Sequence, residues 1–89
     1  MEDEPKSILE FPCQFPIKVI GRDEPGFRAF VVANLLVHVP ELDPEDIHER
    51  PSNGGKYISL SATFTAQSRE QVDTLYEALG ENKQVLMVL

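Results

Sequence analysis

Apolar and polar residues alternate most cleanly over residues 57–66. Ile58, Leu60, Ala62, Phe64 and Ala66 interleave with Tyr57, Ser59, Ser61, Thr63 and Thr65. A period of two predicts a strand with one apolar face and one face of five hydroxyls. A second alternation, Phe15, Ile17 and Val19 against Pro16, Lys18 and Ile20, predicts an earlier strand that Gly21 ends. Between these strands the period changes. Phe27, Phe30, Val31, Asn34, Leu35 and His38 fall at helical spacing, and Pro40 stops the helix. Asp23 is the expected N-cap, with Pro25 in the first turn, where its missing N–H costs nothing. Ser68 is expected to cap a second helix, and Gln71 three residues on completes a capping box. Val72, Leu75, Tyr76 and Leu79 form its buried stripe, with Gly80 placed as the C′ residue.

The remaining segments join these elements. Glu41 to Glu45 is an acidic connection. Asp46 to Arg50, followed by Pro51, reads as a charged edge strand, since charge and proline both discourage further pairing. Asn53-Gly54-Gly55 signals a hairpin turn. Val85 to Leu89 is a wholly apolar final strand. At the other end, residues 1–7 read as a frayed tail, pinned to the core by Leu9 and Phe11. The order is β-α-β-β-α-β. Two right-handed crossovers make this an α+β, ferredoxin-like domain. Its antiparallel four-stranded sheet is expected in the order 4-1-3-2, with both helices on one face.

Length and composition fit that reading. Eighty-nine residues make one domain, 1–89, and 42% hydrophobic with 26% charged residues suits a soluble globular chain. Acidic residues outnumber basic ones by 15 to 8, and the net charge of −7 repels phosphate backbones and anionic membranes. No nucleic-acid or membrane partner is therefore expected. Cys13 is the single cysteine, so no internal disulfide forms, which suits a reducing compartment. The acidic N-terminus lacks the features of a signal peptide, and a cytoplasmic location is expected.

Candidate chemistry is sparse. Metal carriage needs clustered ligands, and Cys13, His38 and His48 are scattered over separate elements, so neither metal nor cofactor is expected. Acyl-phosphate chemistry needs a Gly-rich anion cradle, but the hairpin turn accounts for Asn53-Gly54-Gly55. No serine or cysteine has an identifiable base. The chain is therefore not expected to be an enzyme. Two features go beyond folding. One is the outward sheet face, where Lys18 and Ile20 lie beside Ser59, Ser61 and Thr63. The other is the last strand, where either Val85, Met87 and Leu89 or Leu86 and Val88 must point away from the helices. An apolar edge without charge or proline invites pairing with a partner or a second copy, unless the N-terminal segment covers it.

Several stretches resemble the YbeD-like family of small bacterial proteins. They are Ile8-Leu9-Glu10-Phe11-Pro12, Phe15, Lys18-Val19-Ile20-Gly21, the hydroxyls Ser59, Ser61 and Thr63 after Tyr57, residues Glu70 to Gly80, and the ending Met87-Val88-Leu89. The similarity spans most of the chain and is thin over residues 22–50. It implies an ACT-like fold and a bacterial cytosolic protein, and leaves function open. Asp23-Glu24-Pro25-Gly26-Phe27 is similar to the turn that opens the first helix in ACT domains. That resemblance implies a small amino-acid ligand at Asp23, Gly26 and Phe27. The expected function is a regulatory or adaptor domain acting through protein–protein contact at Lys18, Ser59, Ser61, Thr63, Val85, Met87 and Leu89. The alternative is an ACT-type sensor of a small amino-acid-like effector.

Overall fold

The computed structural model describes residues 10–89; the expected tail over 1–7 and Leu9 lie outside them. Along the chain run β1 (Cys13–Arg22), α1 (Phe27–His38), a 3₁₀ turn (Pro44–Asp46), β2 (His48–Pro51), β3 (Tyr57–Ala66), α2 (Arg69–Gly80) and β4 (Val85–Val88). The sheet is antiparallel in the order β2-β3-β1-β4, which is the expected order read from the opposite edge.

β1 and β3 form the centre because both alternate over their whole length. They pair without interruption from Cys13↔Ala66 to Arg22↔Tyr57. Ile17, Val19, Ile58, Leu60, Ala62, Phe64 and Ala66 are buried on one side. Against them α1 sets Phe27, Val31 and Leu35, and α2 sets Val72, Leu75 and Leu79. Full burial of a Val or Leu side chain contributes about 1.5–3 kcal/mol relative to exposure. Val19, Val31, Leu35, Leu75 and Leu79 are each 0% exposed, so this single layer carries the fold. No polar or charged residue among those described is buried.

The second helix starts as expected: the Ser68 hydroxyl accepts from Gln71 N at 3.1 Å. The reciprocal half of the box is displaced by one residue, because Gln71 Oε1 accepts from Gln67 N at 2.7 Å rather than from Ser68. Its Nε2 donates to His38 O at 2.8 Å, tying the start of α2 to the end of α1.

Four boundaries differ from expectation, the first being the end of β1, which runs through Gly21 to Arg22. Asp23 does not cap α1; the N-cap is Gly26, in the left-handed region at φ 90, with no side-chain cap. Phe27 N instead donates to Glu24 O at 3.2 Å, so residues 24–27 close a turn of their own before the helix. Gly80 ends α2 as a helical residue, and Glu81 is its right-handed C-cap. Asp46 belongs to a 3₁₀ turn that Asp43 caps by accepting from Glu45 N at 2.9 Å, and this delays β2 to His48. Phe11 shares a cavity with Phe15, Val72 and Tyr76, so it seats against α2 and does not cover β4.

Candidate protein-binding face

Strand register places the exposed side chains in rows across the sheet. Residues opposite one another in an antiparallel ladder project to the same side. Lys18 faces Ser61, which faces His48, and Lys18 exchanges two backbone bonds with Leu89: Lys18 N to Leu89 O at 3.1 Å and Leu89 N to Lys18 O at 2.8 Å. The next row is Met87, Ile20, Ser59 and Arg50. Neighbouring strands stand about 4.8 Å apart and alternate residues about 7 Å, so these eight side chains form a compact grid.

The grid has a gradient. Its β4 flank is apolar: Met87 is 51% and Leu89 57% exposed, with Leu86 at 49% beside them. Its centre is hydroxyl-lined by Ser59, Ser61 and the exposed Thr63. Its β2 flank carries His48 and Arg50. A shallow cavity of about 610 Å³ lies over Pro16, Lys18, Asp46, His48, Ser61, Thr63 and Leu89. A smaller one of about 210 Å³ lies over Ile20, Arg50, Tyr57 and Ser59. Ser59 Oγ donates to Arg50 O at 3.4 Å, which holds that hydroxyl beside the β2 edge.

Lys18, Ser59, Ser61, Thr63, Met87 and Leu89 therefore share one face, as the sequence predicts. Val85 does not. The β1–β4 register slips between Ile20 and Gly21, so that Ile20 opposes Met87 but Gly21 opposes Val85. The bulge breaks the alternation at Leu86. Val85 and Val88 turn inward against the core, while Leu86, Met87 and Leu89 remain exposed. Sequence reasoning missed Arg50 and His48 as members of the face. Their alternation flanks Glu49, but the register that brings them beside Ser59 and Ser61 depends on where the hairpin turns.

The turn at Asp23–Phe27 is a separate region. A shallow depression of about 600 Å³ is lined by Asp23, Glu24, Pro25, Gly26, Arg28, Ala29 and Val32. Phe27 is not among them; its side chain is 1% exposed and belongs to the core. Arg28 is engaged by Glu49, with Nη2 to Oε1 at 2.6 Å. Among the described residues no group of three or more His, Cys, Asp or Glu is placed to hold a metal ion. Tyr76, in the groove beside Phe11 and Phe15, is the one titrating group there with a clear perturbation: burial raises its phenol above the usual 10.0. No helix among the described residues is long and apolar enough to cross a membrane.

Solved structures share this fold. The solution structure of HP0495 from H. pylori superposes with a TM-score of 0.66 at 12% identity, covering 100% of this chain and 98% of that one. The TM1266 protein of Thermotoga maritima gives 0.56 at 16% identity, covering 85% and 92%. Sequence similarity is closer to the UPF0250 proteins. The protein of Nitrosomonas europaea is 39% identical, with 94% of this chain and 97% of that protein covered. That of Leptothrix cholodnii is 42% identical over the whole of both chains. That of Bordetella pertussis is 43% identical, covering 94% and 92%. The family model described as "Protein of unknown function (DUF493)" matches residues 6–89, and the chain belongs to that YbeD-like family.

Proposed function

We propose that this chain is a small, non-catalytic domain of regulatory or adaptor type, acting by contact with another protein through its open sheet face and β4. One observation carries the reading: Leu86, Met87 and Leu89 lie half exposed on an edge strand that nothing among the described residues covers. An uncovered apolar edge costs solubility and invites strand pairing, unless a partner uses it. The non-catalytic part rests on the sequence reading that Cys13, His38 and His48 fall on separate elements, β1, α1 and β2. A reducing, cytosolic setting goes with the lone thiol.

The test is Met87→Glu combined with Leu89→Glu. The pair should leave the unfolding midpoint within a few degrees of the parent, since both side chains already face water. It should also abolish self-association in analytical ultracentrifugation, or capture of the partner that the parent retains. Unchanged self-association and unchanged capture would remove the β4 edge from the function.

A second reading, an amino-acid effector at Asp23 and Gly26, rests on the missing side-chain cap of α1. An effector's carboxylate would satisfy the N–H groups that the missing cap leaves open. The carboxylates of Asp23 and Glu24 at the same depression oppose it. A thermal shift with one amino acid, lost in Gly26→Val, would establish this reading over the first.

A further inference from the structure

The charge of the molecule is unevenly placed. Its overall excess is strongly acidic, yet the outward strand positions hold Lys18, Arg22 and Arg50 and no Asp or Glu. Asp46 lines the larger cavity with His48 and is the one acidic side chain among the residues lining the two cavities of this face. The acidic side chains lie elsewhere: exposed Glu70, Asp73 and Glu77 are on α2, and Glu49 is turned to the helix side by its pairing with Leu60 and by Arg28. The rear of the sheet thus sets cations on β1 and β2 beside and across from the apolar side chains of β4, which pairs directly with β1.

Resting on the protein-binding reading above, we propose that this face receives an acidic amphipathic segment of another protein. Its carboxylates would meet Arg50 and Lys18, and its apolar side chains Ile20, Met87 and Leu89. Charge complementarity selects this occupant. A second copy docked face to face would put the same cations on both sides of the interface, with Asp46 the one acidic side chain of the cavities to answer them, and like charges juxtaposed in an interface are costly. A single-stranded nucleic acid would need aromatic platforms at the centre of β1 and β3. Those positions hold Lys18, Ile20, Ser59 and Ser61, with Tyr57 only at the end of β3. The serines suit the segment's polar margin, since a hydroxyl both donates and accepts.

The probe is a synthetic helical peptide of Leu, Ala and Glu, about 16 residues and so roughly 24 Å long, with Glu along one side. A twin peptide has Lys in place of Glu. Amide chemical shifts of the full chain are followed with each. The acidic peptide should shift Lys18, Ile20, Ser59 and Met87, bind more weakly as salt is raised, and bind at least about tenfold more weakly to Lys18→Glu/Arg50→Glu. The reversed variant should gain the Lys peptide, which shows that loss of the acidic one is not loss of fold. Equal binding of both peptides, shifts centred on α2, no shift at millimolar acidic peptide, or tighter binding of polyuridylate or phosphatidylglycerol vesicles to the same residues would each overturn the proposal. If Met87→Glu/Leu89→Glu loses its partner while the acidic peptide never binds, the acidic-segment assignment alone fails.

Discussion

Gly21 sits where β1 bends around the β4 bulge, buried against the ring of Phe27. A Cβ built there would fall under 3.0 Å from Phe27 Cε1 and Cζ and from the backbone oxygen of Gln84. The ring can turn only into a packed core, since Phe27 is 1% exposed. The oxygen is less free still, because Gln84 O accepts from Arg22 N at 3.2 Å and anchors the approach to β4. Gly21→Ala therefore sets two effects against each other. Removing glycine from a strand favours folding by about 0.5–1 kcal/mol through the unfolded chain. Forcing one carbon into a filled site typically costs about 1–3 kcal/mol, with backbone obstacles at the upper end. The net expectation is a loss of about 1–2 kcal/mol, which lowers the midpoint of a domain this small by roughly 4–16 °C. Urea and thermal unfolding measure it. A second variant isolates the cause. Phe27→Leu should recover part of the loss when combined with Gly21→Ala, with an interaction energy of at least about 0.5 kcal/mol. A midpoint for Gly21→Ala equal to the parent's, or strict additivity with Phe27→Leu, would refute the close-packing argument.

Further expectations can be checked on the same instruments. Gly80→Ala should stabilise by up to about 1 kcal/mol, because the residue is helical and a Cβ there meets nothing within 4 Å. Gln71→Ala should cost about 1–2 kcal/mol through the bonds to Gln67 N and His38 O, more than removal of a lone surface amide. Tyr76 holds its proton more tightly folded than unfolded, so its contribution is complete below pH 10 and is lost as pH rises through the folded value. Tyr76→Phe should flatten that alkaline decline, and ultraviolet titration should show one phenol ionising late.

The two central strands were legible in sequence because burial on one side only imposes strict alternation, and Ile58 to Ala66 obey it throughout. The start of α2 was legible because Ser68 and Gln71 use local chemistry. The start of α1 was not. Asp23 and Pro25 suit a helix start in isolation, but the backbone bond from Phe27 N to Glu24 O spends those residues on a preceding turn and leaves Gly26 as the cap. The face was half legible for a similar reason. Lys18 and the serines follow from alternation within one strand. Arg50 and His48 follow only from register between strands, and Val85 was misplaced because nothing in Val85-Leu86-Met87-Val88 announces a bulge.

The pairing of β4 with β1 has a consequence for how fast the chain folds. Leu89 ends beside Lys18 while running toward the start of β1. A linker of about eight or more residues, long enough to run roughly 26 Å from Leu89 back along β1 to Glu10, would turn this pair of distant strands into a hairpin. New termini can be cut within the exposed turn at residues 52–56. Such a circular permutant exchanges the short β2–β3 hairpin for one with a longer loop, and shortens the longest-range pairing of the sheet. Folding rates fall as mean contact separation grows. If closure of β4 onto β1 limits the rate, the permutant should fold faster than the parent at equal stability. If the β2–β3 hairpin is the nucleus, it should fold more slowly, and stopped-flow refolding of the two chains distinguishes these orders of assembly.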